Sequence, residues 1–348
     1  MKTLHLRIRL EEAEPTHPAI LQCAEIIKAG GLVAIPTETV YGLAGDALRP
    51  LALERIFAAK ERPAWDPLIV HIAALSMVSQ VATEFPPLAR DLAKAFWPGP
   101  LTMLLKKSGA VPREVTAGRE LVAVRFPAHV VARDVITAAG TPLAAPSANR
   151  FGRTSPTTAE HVLHDLDGRI DAVLDAGPTN LGVESTVLDP LHTPPLLLRP
   201  GGITREQIEA VIGAVELYVA PPDQPPKALA SPGLAGRHYA PEARVEVVEG
   251  ERDALVDAAR ERADKQAQSG NYVGVLAPEG WLDESVLAGG GLVIFDWGKW
   301  GDWTQLAHNL FSGLRYLDKP GVSVILVPLP PAESLGLALR DRLLKAAK

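Results

Sequence analysis

Short apolar runs that break off at a polar, proline-marked loop place the main constraint on this chain. Leu32-Val33-Ala34-Ile35 stops at Pro36, and Pro142-Leu143-Ala144-Ala145 stops at Pro146. Leu196-Leu197-Leu198 runs into Arg199-Pro200-Gly201-Gly202. Runs this short and this apolar suit strands buried on both faces, the kind found in α/β sheets. Helical patterns fall between them. Residues 18–29 put Ile20, Leu21, Ala24 and Ile27 on one face, and Gly30-Gly31 closes that helix. Residues 51–60 turn Leu51, Leu53, Ile56 and Phe57 inward, and residues 82–95 and 158–166 read as further helices. Residues 3–10, 68–72, 101–106, 121–126 and 172–175 read as strands.

A chain of 348 residues is too long for one ordinary core, so two domains are expected. Composition shifts at residues 220–242, where Pro221, Pro222, Pro225 and Pro226 precede Ser231-Pro232-Gly233. This stretch reads as an extended linker, but it ends in Arg237-His238-Tyr239, which is too basic and aromatic for a passive spacer. The expected division is 1–219, a linker over 220–242, and 243–348. The last part alternates strand and helix: strands 244–249, 272–276, 291–295 and 322–328, with helices 253–267, 302–316 and 332–347. That alternation predicts a small parallel α/β unit. Gly289-Gly290-Gly291 precedes a strand there instead of opening a helix, so it reads as a turn and not a phosphate cradle.

A net charge of −6 argues against a protein that coats nucleic acid non-specifically. No apolar run approaches the ~20 residues that span a bilayer. The N-terminus MKTLHLRIRLEE carries charges where a secretory signal needs an apolar block, which leads us to expect a cytoplasmic protein. The single cysteine, Cys23, lies in the apolar pattern of its helix and reads as core.

The loops after the strands carry the chemistry. Pro36 to Leu43 presents Thr37, Glu38, Thr39 and Tyr41, and the helix over 51–60 delivers Lys60 and Arg62. The loop after residue 145 offers Ser147, Asn149, Thr154 and Ser155 with Arg150 and Arg153, stiffened by Pro146 and Pro156. Such a loop at the C-terminal end of a buried strand is where open α/β folds hold ligands. His71 shares a strand face with Ile69, as a core or a ligand histidine. Arg125 stands among Val122, Ala123, Val124 and Phe126, where burial demands a carboxylate partner or a ligand anion.

Lys60, Arg62, Arg125, Arg199 and Arg237 are thus the candidate cations. Thr37, Ser147, Asn149, Ser155, Ser185 and Tyr239 are the donors. The sequence contains no Cys–His or Ser–His–Asp arrangement and no H-x-x-H cluster. Cations and donors without a nucleophile fit phosphoryl or nucleotidyl transfer, in which the protein positions substrates and neutralises charge.

The stretches IPTETVYGL, KERPAWDPLIVHI, FWPGPLTMLL, VAVRFPAH, APSANRFGRTSPT, GVESTV and LLRPGGIT resemble the YrdC-type threonylcarbamoyl-AMP synthase family. SPGLAGRHYAP and the trailing α/β unit resemble its long, two-domain form. The resemblance implies a YrdC-like open twisted mixed sheet with helices, followed by a smaller Rossmann-like parallel α/β domain. It also implies a reaction: L-threonine, bicarbonate and ATP give threonylcarbamoyl-AMP and pyrophosphate, for modification of adenosine 37 in tRNA. By similarity Lys60, Arg62, Ser147 and Asn149 are the catalytic set at the nucleotide. Ala145, Ser155, Arg199, His238 and Tyr239 are implied as further ATP contacts. Asp66 joins them at a position where family members often have Asn or Lys. Thr37, His71, Arg125 and Ser185 are implied as the threonine pocket, with Arg125 facing the carboxylate. Mg²⁺ is expected with ATP, held chiefly by phosphates and water. The implied partners are the machinery that carries the threonylcarbamoyl group to tRNA and, more weakly, tRNA itself. The linker is expected to fold over the cleft and exclude water from a labile mixed anhydride.

Overall fold

The computed structural model describes residues 2–219, 229, 231–234, 236–267, 270–282 and 290–348. Pro221, Pro222, Pro225 and Pro226 of the expected linker, and Gly289 of the expected turn, lie outside the described residues. The chain divides into two compact units. The first holds residues 1–151, 155–180 and 184–235. The second holds residues 236–348 together with two short stretches, 152–154 and 181–183.

The first unit is built on a mixed sheet. Its strands are β1 (Leu4–Arg7), β2 (Val33–Ile35), β3 (Gly42–Asp46), β4 (Ile69–His71), β5 (Leu101–Lys106) and β6 (Leu121–Arg125). They are joined by β7 (Leu143–Ala144), β8 (Ala172–Asp175), β9 (Thr186–Asp189), β10 (Leu196–Arg199) and β11 (Glu216–Leu217). The order is β1-β8-β2-β3-β7-β4-β6-β5-β9-β10-β11. β2, β3, β7 and β4 pair antiparallel in turn, whereas β4 with β6 and β5 with β9 are parallel. The apolar runs are buried, as short strands inside a two-sided core must be.

Alternation assigns the strand residues to faces. Val122 and Val124 join Leu101, Met103, Leu105 and the helix Pro50–Lys60 in the largest core cluster. The neighbouring residues Ile69, Leu104 and Ala123 turn the other way, into a small cluster with Val187 and Leu198. Helices Pro18–Lys28 and Val130–Ala139 cover a third cluster around β2 and β8. Cys23 is buried there, and burial pushes its thiol up to about 12.

Four sequence expectations need correction. The helix expected over 82–95 spans only Pro87–Phe96, because Pro86-Pro87 disfavours helical backbone just before it. A separate turn of helix, Val78–Val81, precedes it. The helix Val130–Ala139 was not expected at all, since its Val and Ile content resembles strand. Leu21 and Leu51, placed on buried faces by their spacing, are exposed.

The second unit carries a parallel sheet of β12 (Arg244–Val248), β13 (Tyr272–Pro278), β14 (Leu292–Gly298) and β15 (Val322–Pro328) in the order β12-β15-β13-β14. Helices Arg252–Ala267, Trp303–Leu317 and Ser334–Ala346 supply the crossovers and the C-terminal cover. Its alternation of strand and helix was legible in the sequence. Among the described residues, no helix of either unit is long and apolar enough to cross a membrane.

Candidate active site

Strand register lines up the centre of the site in the first unit. His71 of β4 is the register partner of Arg125 of β6, which is the partner of Thr102 of β5. Direct partners project from the same face, here the face of Ile69, Leu104 and Ala123. The row therefore stands beside a small apolar floor. All three side chains are buried.

Arg125 has a carboxylate partner, Glu38, at 2.7 Å. Its Nη1 donates to Thr39 Oγ1 at 2.9 Å and its Nε to the Gly99 carbonyl at 3.4 Å. Thr39 Oγ1 lies 2.8 Å from Thr37 Oγ1, so three consecutive side chains of the Pro36–Leu43 stretch bear on the arginine directly or through one another. Thr37 also accepts from the Thr39 and Val40 amides, which makes it the cap of its own turn. Burial works to raise the Glu38 carboxyl, but Arg125 and the Ala128 amide outweigh it and hold Glu38 below the usual carboxylate range. His71 goes the other way. Burial first, and then the Arg125 charge, lower it to about 3, so it is a neutral imidazole at physiological pH.

Backbone hydrogen bonds stitch the two donor loops together. Leu43 N–H donates to Pro146 O at 2.7 Å, Ala148 N–H to Tyr41 O at 2.8 Å, and Tyr41 N–H to Pro156 O at 2.9 Å. Ala145 N–H binds Ile69 O at 3.0 Å, which seats the loop beside β4. Gly42 allows this close approach: a Cβ there would meet the Ala145 Cβ at 3.2 Å.

The end of the helix Pro50–Lys60 is attached to the same loop. Lys60 is 1% exposed, and its ammonium donates to the carbonyls of Ser147 and Asn149. Phe151 N–H returns a bond to Lys60 O at 2.8 Å. Burial, and next the Arg62 guanidinium, hold Lys60 well below its ordinary pKa. Glu61 caps the helix in the left-handed region, with φ 55° and ψ 37°, reversing the chain between two inward-facing cations.

Arg62 ion-pairs with Asp66 at 3.0 Å and donates to the Asp66 and Pro67 carbonyls. Asp66 is fully buried, and burial raises its carboxyl against the pull of Arg62, Lys60 and Arg199. The structure thus places Asp66 as the partner of Arg62.

On the far side of the row, Ser185 Oγ lies 2.8 Å from Thr102 Oγ1 and 3.1 Å from Arg199 Nη2. Arg199 also donates to the Ser185 carbonyl through Nε and Nη2. Ser155 donates to Glu184 at 2.5 Å. Two linker residues bear on this unit: Leu229 N–H donates to Trp65 O at 3.0 Å, and Arg199 Nη1 donates to Pro232 O at 3.3 Å.

His238 and Tyr239 belong to the second unit. Their rings lie 4.1 Å apart, Tyr239 stacks on Phe311 at 5.8 Å, and the Arg342 guanidinium sits 5.0 Å over the Tyr239 ring. Arg237 is exposed there.

Register and burial also bring in residues that sequence reading left out. Glu38 and Thr39 were visible beside Thr37, but nothing in sequence pairs them with Arg125, 86 positions beyond Thr39. Thr102 carries no local signal, since threonine is an ordinary strand former. Among the described residues, no group of three or more His, Cys, Asp or Glu side chains is placed to hold a metal ion. Asp66, Glu184 and Glu38 are engaged by Arg62, Ser155 and Arg125.

Fold and site together define an α/β protein whose first unit gathers buried cations and hydroxyl side chains around one row of strand residues. Comparison with known proteins makes this specific. The family Sua5_yciO_yrdC, described as "Telomere recombination", matches residues 25–201, and the "Threonylcarbamoyl-AMP synthase, C-terminal domain" family matches residues 203–348. A Pyrococcus abyssi protein named threonylcarbamoyl-AMP synthase is 44% identical over 99% of this chain and 97% of its own length. One of the same name from Bacillus subtilis is 43% identical over 97% of this chain and 95% of its own. The crystal structure of P. abyssi Sua5 complexed with L-threonine superposes with a TM-score of 0.90 at 44% identity, covering 100% of this chain and 98% of the other. The chain belongs to the threonylcarbamoyl-AMP synthase family, in its two-domain form.

Proposed function

We propose that this protein is a threonylcarbamoyl-AMP synthase that acts as a nucleotidyltransferase. The observation that carries the reading is relatedness from end to end, across both family models, to proteins that bear this name. The chemistry needs no protein nucleophile. The threonine amine takes up bicarbonate to form a carbamate with loss of water. A carbamate oxygen then attacks the α-phosphorus of ATP, and pyrophosphate leaves.

The chain's own groups then divide the work. Arg125 faces the threonine carboxylate, with Thr37, neutral His71 and Ser185 completing the amino-acid pocket. Lys60 holds the Ser147–Asn149 loop and adds its charge there, and Arg62, Arg199, Ser147, Asn149 and Ser155 serve the phosphates. Asp66 keeps the Arg62 fork in place instead of meeting the nucleotide's anionic groups itself. Charge-assisted hydrogen bonds of about 1.5–3 kcal/mol each make three or four such contacts sufficient to hold a triphosphate. Mg²⁺ enters with the nucleotide and neutralises phosphate charge.

The Leu229–Trp65 and Arg199–Pro232 bonds support a role for Leu229 and Pro232 in limiting water access to the mixed anhydride. The product is consumed by a transferase acting on tRNA, and the reaction belongs in the cytoplasm. Pyrophosphate release from ATP by the full-length protein tests the reading, with threonine, bicarbonate and Mg²⁺ omitted in turn. Release that requires all three, without tRNA, is expected. Release that proceeds without threonine would overturn it.

A further inference from the structure

Arg125 is held by more than a ligand needs. Three of its nitrogens are engaged by the protein: Nε by Gly99 O, Nη1 by Thr39 Oγ1 and Nη2 by Glu38. A guanidinium offers five N–H donors in a rigid fork; hydrogen bonds to Gly99 and Thr39 take two of them, and Nη2 meets Glu38 as an ion pair outside hydrogen-bond geometry. Glu38 sits where a substrate carboxylate would also be drawn. It is therefore either a stand-in that the substrate must displace or a fixture that aims the fork.

The surroundings of Glu38 decide between these. It lies in the turn whose backbone is capped by Thr37 and stitched to the Pro146–Pro156 loop through Tyr41 and Leu43. Its charged partner is the Arg125 guanidinium, at 2.7 Å. Only 13% of its side chain is exposed. A mostly buried carboxylate on a turn pinned by backbone hydrogen bonds, and paired with Arg125, is poorly suited to swing away at each turnover.

We propose that Glu38, with Thr39, is a positioning residue for the amino-acid substrate: the two clasp Arg125 so that its remaining N–H edge meets the substrate's α-carboxylate. This rests on the reading of Arg125 as the carboxylate anchor. The clasp acts through Arg125 alone, so its value shows only with ligands that carry a carboxylate. A flexible arginine would still bind, but it would lose freedom on each binding event, a loss that a pre-aimed fork avoids.

The test compares L-threonine with L-threoninamide, which lacks the carboxylate charge, by calorimetric titration of the full-length protein. The variants are Glu38→Gln, which keeps shape and removes charge, Glu38→Asp and Thr39→Val. Wild type is expected to prefer threonine strongly. Glu38→Gln should weaken threonine binding about 10- to 100-fold, the usual range for a lost charge-assisted bond. It should leave threoninamide binding and the KM for ATP near wild type, and Glu38→Asp should recover part of the loss. Equal weakening toward both ligands would reduce Glu38 to a structural residue and overturn the proposal. Tighter threonine binding by Glu38→Gln would show a competing stand-in and overturn it equally. If wild type does not bind threonine, the functional reading itself fails, a result separable from either of these.

Discussion

Replacing Gly201 by alanine would put a methyl group into space that belongs to the neighbouring backbone. A Cβ on Gly201 would lie 2.4 Å from the Glu184 oxygen, the Ser185 carbonyl carbon and the Thr186 nitrogen. Non-bonded contacts settle near 3.5–4.0 Å, so the overlap is about 1 Å. All three atoms are main chain, with no flexible side chain to yield. Either the Gly201-Gly202 turn lifts away, or residues 184–186 move. These residues carry Ser185, held by Thr102 and Arg199, and Glu184, which accepts from Ser155. Overpacking of this kind costs about 1–3 kcal/mol. In a body of this size each kcal/mol lowers the melting temperature by about 2–4 °C, so Gly201→Ala should melt roughly 2–12 °C below wild type. A shift of about 1 Å at a positioned side chain costs on the order of 100-fold in rate. Thermal melting followed by tryptophan fluorescence reads the first effect. Pyrophosphate release across a threonine series reads the second as a drop in kcat/KM for threonine. A variant that melts with wild type and keeps its threonine kinetics would refute the claim that this close approach sets Ser185.

Two further outcomes follow from single residues. His71 is lowered from 6.5 to about 3 in the folded chain, so between those values the unfolded chain binds more protons and stability is lost as pH falls. At pH 5 the loss is roughly 2 kcal/mol, and His71→Asn should flatten the fall in melting temperature between pH 7 and pH 5; an unchanged pH profile would contradict it. Glu61 sits at φ 55°, a region that costs an L-residue about 1–2 kcal/mol but costs glycine little. Glu61→Gly should therefore melt above Glu61→Val by several degrees, and equal melting would count against the strained cap.

The sequence showed well what depends on neighbours along the chain. Apolar runs ending at proline gave β2, β7 and β10, and the pairs Lys60 with Arg62 and Ser147 with Asn149 stood out by their resemblance to family motifs with the same spacing. What depends on register was hidden. His71, Arg125 and Thr102 form one row only because β4, β6 and β5 lie side by side, an order unrelated to their sequence order. The partner of Arg125 was invisible for the same reason, although its burial announced that a counter-charge must exist. The helix Val130–Ala139 was missed because β-branched residues at helical spacing satisfy two patterns at once. Pro86-Pro87 shortened its predecessor through backbone sterics that periodicity does not measure.

The division of the chain into units has a consequence for dissection. The backbone crosses between them at 151/152, 154/155, 180/181, 183/184 and 235/236, so a cut after residue 235 severs only the last crossing. The stretches 152–154 and 181–183 would remain as orphaned insertions in what is left. Gly182 shows the cost: a Cβ there would lie 2.4 Å from Ala307 O, so its native packing is against the helix Trp303–Leu317 that the cut removes. Each orphan runs straight into a residue of the site, Ser155 in one case and Glu184 in the other. The C-terminal unit is therefore not a removable cassette, and a shortened chain would need new packing for both stretches before it could match the intact one.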